Sequence, residues 1–413
     1  MRQLWQVLFL AAASVMLLAA CDVKDLYDPN YKTSNPMADI EVDPSLDWNM
    51  TTNVPVTVKV NDDLNGEFYY QVNIYKENPV TEAEPVLLTG GVAKKGQDFQ
   101  ANVALAVGTP YLYVAQTDPR GRTVVQQFPV ESSVDADFTK IAYEEPDATF
   151  SVGAATRSTI SVPAYSTEDA EFKNATEYTG GSMQTNRVYK ISAGKTVNAG
   201  KNLKLDGTLY VAGTLNGQGI TLQSGKPLIV LSGGKVNDTG TFANNSDSHL
   251  TIMQGGELTA NATNLSGWGD TYVLGSLKVA TEFRVPSSNR DAANPSICYI
   301  GSDADITCDI LYIPNNKVYI ENNGVINCRT IDNKGGSELY NTCVINVSES
   351  ANLNSFRLVI FDRGIMRAPS IDISSMSYGF TLRNGSMLTG YGDTKLTITA
   401  GSTPILGGTG NMS

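Results

Sequence analysis

Leu228-Ile229-Val230-Leu231-Ser232-Gly233-Gly234-Lys235-Val236 and Leu250-Thr251-Ile252-Met253-Gln254-Gly255-Gly256-Glu257-Leu258 carry one pattern twice. Aliphatic residues at i and i+2 mark a strand with one buried face. A glycine three residues further on supplies a turn, and another aliphatic residue restarts the chain inward. The pattern also occurs at Tyr189-Ile191-Gly194-Val197 and Leu203-Leu205-Thr208-Val211. Variant copies are Tyr272-Leu274-Leu277, Cys298-Ile300-Asp303-Ile306, Val318-Ile320-Asn323-Ile326, Leu358-Ile360-Arg363-Met366, Phe380-Leu382-Gly385-Leu388 and Leu396-Ile398-Gly401. Many starts fall 20 to 22 residues apart: 228, 250 and 272; 298 and 318; 358 and 380. One coil of that length cannot bury its own apolar face, whereas coils stacked about 4.8 Å apart cover each other and pair their backbones. The pattern therefore predicts a parallel β-helix over 186–413. A second set of immunoglobulin-like sandwiches is the competing reading, but hairpins give no constant coil period. Leucine-rich repeats fit the period without the expected asparagine ladder or helical stretch.

Towards the N-terminus the period changes. Val54, Val56, Val58 and Val60 alternate, Asn61-Asp62-Asp63-Leu64-Asn65-Gly66 supplies a turn, and Phe68, Tyr70, Val72 and Ile74 continue at period two. Val86-Leu87-Leu88, Phe99 to Leu105, Tyr111 to Gln116 and Val124 to Val130 read as further strands. Several short strands in so few residues predict an immunoglobulin- or fibronectin-like β-sandwich over 37–133. Residues 134–185, rich in Ser, Thr, Ala, Asp and Glu, read as a linker or a solenoid cap. The fold class is all-β: a sandwich followed by a parallel β-helix.

Residues 1–20 read as a targeting segment, with Arg2 the only charge before an apolar run from Leu4 to Ala20. The run closes in Leu18-Ala19-Ala20-Cys21, which resembles the bacterial lipobox. That resemblance implies diacylglycerol on the Cys21 thiol and cleavage before it. Each buried lipid CH₂ contributes about 0.8 kcal/mol, so several acyl chains anchor durably. Residues 21–36, polar and holding Pro29 and Pro36, read as a tether. Asp22-Val23-Lys24-Asp25 is similar to the acidic signal that sends Bacteroidetes lipoproteins to the outer face of the outer membrane. The expected location is the outer membrane, lipid-anchored and facing outward. The chain carries 30 Lys and Arg against 42 Asp and Glu, a net of −12. No local basic cluster offsets that charge, so nucleic acid is not an expected partner.

The lipobox, Asp25-Leu26-Tyr27-Asp28-Pro29, Asp47-Trp48-Asn49-Met50-Thr51, Phe68-Tyr69-Tyr70-Gln71-Val72 and Tyr111-Leu112-Tyr113-Val114-Ala115-Gln116 together resemble the N-terminal region of LruC-type surface lipoproteins of Bacteroidetes. The resemblance covers about residues 1–135 and implies location and architecture, not a reaction. The C-terminal module usual in that family is not recognisable in this chain.

Chemistry is sparse in the pattern. Cys298, Cys308, Cys328 and Cys343 lack metal-ligand spacing, and His249 is the single histidine, so neither a zinc site nor another cofactor is expected. Cys308 and Cys328, one coil apart, are candidates for a disulfide or for stacked thiols. β-helices host polysaccharide lyases and hydrolases, which need paired carboxylates or an acid cluster with a basic partner. The best acidic group, Asp303, Asp305 and Asp309, reads as solvated turn residues. The solenoid arginines read as scattered, without acids at one-coil spacing. Asn61 to Gly66 reads as a hairpin turn in preference to a calcium loop. Trp268 and Tyr272 are candidates for stacking on a sugar. No catalytic residue is assigned. Expected partners are the membrane, through the lipid, and a glycan or a host or cell-surface protein. Residues 406–413 form no amphipathic cap over the last coil, so a covering domain or partner is expected there.

Overall fold

A computed structural model describes residues 50–82, 84–141, 160–267, 269–286, 295–314, 318–354, 357–360, 363–373, 380–382, 386–390, 395–397, 406–407 and 411–412. Cys21 and Trp268 lie outside the described residues. The fold is all-β, a two-sheet sandwich followed by a parallel solenoid.

Among the described residues the sandwich has seven strands: β1 (Thr51–Lys59), β2 (Tyr70–Tyr75), β3 (Leu87–Ala93), β4 (Phe99–Ala106), β5 (Tyr111–Thr117), β6 (Thr123–Pro129) and β7 (Val134–Asp137). One sheet has the order β4-β1-β7 and the other β3-β2-β5-β6. Val54, Val56 and Val58 of β1 face Tyr70, Val72 and Ile74 of β2 in one buried cluster, as their alternation demands. Two expectations need correction. β7 pairs in parallel with β1, so the sandwich continues past residue 133. The 61–66 turn is not a hairpin, because β1 and β2 belong to different sheets. It is an inter-sheet corner in which Asp62 accepts the Leu64 and Gly66 N–H groups at 3.1 and 2.5 Å, with Asn65 and Gly66 at φ 56° and 76°. Phe68, read as an inward strand residue, precedes β2 and is exposed.

Among the described residues of the solenoid every pairing between coils is parallel, and the strands fall into a 12-stranded and a 13-stranded sheet. As far as Asn352 each coil has a short strand, such as Leu228–Val230, and a long one, such as Lys235–Asn244. The long strands slip register midway, for example between Asp238 and Thr241, which separates the inward pair Val236 and Asp238 from Phe242 and Asn244. Each such coil therefore shows three sides to the core. Leu209, Leu228 and Leu250 stack directly, with Val211, Val230 and Ile252 beside them. Gly233 and Gly255 occupy the turn at φ 77° and 76°, where side chains are strained. A Cβ on Gly234 would run into the Val211 carbonyl oxygen.

The register departs from the apolar pattern in three places. Leu203 and Leu205 belong to a long strand, and Leu209 and Val211 lie in the short strand of the next coil. Leu250 and Ile252 pair with Thr271 and Val273, not Tyr272 and Leu274, so Tyr272 points outward. A one-residue slip exchanges the two faces of a strand, and a wholly buried threonine concealed this one. Cys298 and Ile300 pair with Ile320 and Asn322, a shift of two that keeps the faces but puts Asn322 in the core. Asn322 and Asn341 are both buried, and the Asn322 amide donates to Asn341 Oδ1 at 2.8 Å. Their remaining bonds go to Val344, Cys343 and Ile365 carbonyls and to the Gly324 and Cys343 N–H groups, so neither amide is an unmet cost.

Between the two parts, residues 160–187 attach to the solenoid. Thr176–Glu177 pairs with Val188–Ile191 to begin the 12-stranded sheet, while Tyr178 and Met183 join the interior cluster. The helix α1 (Ala170–Asn174) puts Phe172 against the outward ring of Tyr210, and Tyr165 meets the same ring. Ile160 packs on Tyr319, Tyr340 and Val359, several coils away.

Candidate functional site

Among the described residues the largest cluster of buried charge lies where the sandwich meets the solenoid. It starts in the β5–β6 hairpin, Asp118 to Arg122. Gly121 takes φ 84°, and Asp118 Oδ1 accepts the Arg120 and Arg122 N–H groups, each at 2.9 Å. Asp118 Oδ2 then accepts both Nε groups, at 3.2 and 3.0 Å. One buried carboxylate thus aims two guanidinium groups the same way. Arg120 Nη1 donates to the Ser302 carbonyl at 3.0 Å and Arg122 Nη1 to the Thr342 carbonyl at 3.4 Å. Their Nη2 groups grip Asp63 from the 61–66 corner, at 2.8 and 2.5 Å. The solenoid answers with Arg363, whose Nη1 reaches Asp63 at 3.4 Å, and Arg367, which donates to the Gly121 carbonyl at 3.2 Å. Arg363 holds this position from a φ of 72°, a conformation costing about 1–2 kcal/mol outside glycine.

Burial alone would raise the Asp63 carboxyl, but Arg122, Arg120 and Arg363 outweigh it and hold the group at about 2. Burial would lower Arg122, yet Asp118 and Asp63 keep its charge bound more firmly than usual. Asp63 is therefore a permanently ionised acceptor near neutrality, unsuited to giving a proton. Its engagement with three arginines also removes it from calcium ligation. Among the described residues no cluster of three or more His, Cys, Asp or Glu side chains is placed to share a metal ion.

Around this clamp opens a cleft of about 410 Å³, bordered by Tyr299, Ser302, Glu321, Asn323 and Thr342 of the solenoid. Tyr272 lies one coil from Tyr299, with ring centroids 6.4 Å apart and planes tilted by 44°. Comparison with known families, with curated proteins and with solved structures finds no match. The arrangement must be judged on its own chemistry.

The other sequence candidates separate. Asp303 accepts from Gln254, Asp305 from Asn327, and Asp309 pairs with Arg329, so the three acids serve three different partners. Arg329 contacts Asp309 at 2.7 Å and Glu349 at 2.5 Å, each 20 residues away. This corrects the reading of solenoid arginines without acids at one-coil spacing. His249 Nδ1 accepts the Asp270 N–H at 3.0 Å, a bond between turns of adjacent coils. Cys308 and Cys328 are register partners, both buried and both free thiols.

The clamp itself escaped the sequence reading. Asp118, Arg120 and Arg122 look like ordinary hairpin residues, and their partners lie as far as 220 residues along the chain. The one available signal was two arginines flanking a turn glycine, the first of them two residues after an aspartate.

Proposed function

We propose that this chain is a non-catalytic surface protein, lipid-anchored through Cys21, that carries a β-helix outward for adhesion or scaffolding. The observation supporting this most is the Asp118–Arg120–Arg122–Asp63 clamp, which fixes the sandwich to the solenoid through charges that are all engaged. A bearing between anchor and display surface needs such fixity, whereas an acid–base site needs a proton that can move. The solenoid exterior fits the same role. Asn198, Asn216 and Asn237 form one outward ladder with amide bonds of 2.8 Å, and Asn327 and Asn346 continue that column further along. Such a surface is polar and suits contact with a glycan or with another cell-surface protein. Location in the outer membrane and kinship with LruC-type lipoproteins belong to this reading. Among the described residues no helix is long and apolar enough to cross a membrane.

Protease shaving of intact cells tests the display. Loss of the solenoid from the cell fraction is the expected result, and full retention behind an intact outer membrane sinks it.

A second reading, glycan binding with or without weak carbohydrate-active chemistry, draws on the Tyr272–Tyr299 pair beside Glu321 and Asn323. An array of glycans and matrix proteins separates the two. Glycan binding that vanishes in Tyr299→Ala but survives in Asn216→Ala favours the cleft; protein binding that ignores both favours the scaffold.

A further inference from the structure

We propose that Cys308 and Cys328 form an oxidisable pair that closes a covalent brace between two neighbouring coils. They are direct partners in adjacent parallel strands. Paired strands run about 4.8 Å apart, inside the Cα separations of about 4.4–6.8 Å that disulfides span. Both thiols are 6 % exposed and share one inward column with Val279 and Val347. The Cys308 thiol is hydrogen-bonded to Cys328, and this contact together with burial pushes it up. A groove of about 350 Å³ is bordered by both cysteines together with Thr307, Asn327, Arg329, Asn346 and Ser348. The other two cysteines lack this arrangement. Cys298 has Thr271 and Ile320 as its strand partners, and Cys343 sits beside Arg122.

The reaction needs a dissolved disulfide as oxidant, with oxidised glutathione as the probe. One protein thiolate attacks it, forming a mixed disulfide and releasing one glutathione thiolate. The second protein thiolate displaces the other glutathione and closes the Cys308–Cys328 bond. Two protons leave the protein thiols and two electrons end on glutathione. The raised Cys308 thiol supplies little thiolate near neutrality, so its step is slow there and quickens with pH. Parallel partners hold their Cβ atoms about a strand spacing apart, wider than the usual disulfide span of about 3.8 Å, so a mild reductant reopens the bond. The brace would cross the bend of the long strands, where register slips just after Cys328. This inference stands whether or not the chain is a surface scaffold.

The folded full-length chain is incubated with oxidised glutathione at pH about 8.5, the unperturbed cysteine value, then blocked, digested with trypsin and mapped by mass spectrometry. The expected product is a cross-linked pair of peptides holding Cys308 and Cys328, two hydrogens lighter than the free peptides and released by mild reduction. Cys308→Ser abolishes it and Cys298→Ser leaves it intact. The proposal is overturned if both thiols alkylate fully once the oxidised chain is unfolded. A stable glutathione adduct without closure overturns it too, as does a cross-link that persists in Cys308→Ser.

Discussion

The sandwich and the solenoid bury aliphatic rows by opposite means. In the sandwich each row faces a second row across the core, so Val54, Val56 and Val58 rest on strands of the other sheet. In the solenoid each row rests on its own copy in the next coil, as Leu209, Leu228 and Leu250 do. A facing core leaves little room for polar side chains. A stacked core admits them wherever the neighbouring coil offers a matching group, hence Asp238, Asn322 and Asn341 inside. Among the described residues the two cores meet at a charged seam.

Breaking that seam has the largest expected effect. Asp63→Ala leaves three arginines without their common counter-charge, and removing one partner of a buried ion network costs about 3–5 kcal/mol. Calorimetry should resolve two unfolding transitions in the variant where the parent shows one. A single unshifted transition would mean that the seam carries no coupling.

Acid should act in the same direction. The folded-state value of Asp63 is about 2 against an ordinary 3.8. Its contribution is therefore complete above the ordinary value and fades as pH falls through about 2. Sandwich and solenoid should separate over that window, read as a rise in tyrosine exposure, with Asp63→Asn removing the pH dependence.

A smaller effect sharpens the contrast between the cores. Asp238, 2 % exposed, accepts the N–H groups of Gly219, Ile220 and Gly240 at 2.6, 2.8 and 2.9 Å where the long strands bend. Asp238→Ala strands those donors and should cost about 2–4 kcal/mol, since a buried orphan costs about 1–3 kcal/mol. Faster hydrogen exchange at Gly219 and Gly240, with the sandwich amides unchanged, is the signature. Least of all, Arg329→Ala removes exposed pairs with Asp309 and Glu349 and should leave the melting midpoint where it is. A clear drop would show that the outer ladders bear strength as well as the core.

How much could be read beforehand follows the same division. The β-helix was legible at Leu228–Val230 and Leu250–Ile252 because glycine turns and aliphatic pairs repeat there. It blurred at Thr271 and Asn322, where polar residues take core positions that a pattern of apolar letters skips. The alternation of β1 disclosed the sandwich for the usual reason, since its two faces meet different media. The clamp was illegible because charge chemistry at a turn acquires its meaning from residues far along the chain. Asp63 looked like a turn former and works as a keystone for Arg120, Arg122 and Arg363.

Finally, the segment from Ile160 to Phe172 changes how this solenoid comes apart. Stacked coils that touch only their neighbours fray from one end, each coil leaving with a modest cost of its own. Here Ile160 grips the coils of Tyr319 and Tyr340 while Tyr165 and Phe172 grip the coil of Tyr210. Coils distant in the stack then share one fate, and a molecule built like a zipper melts as a block.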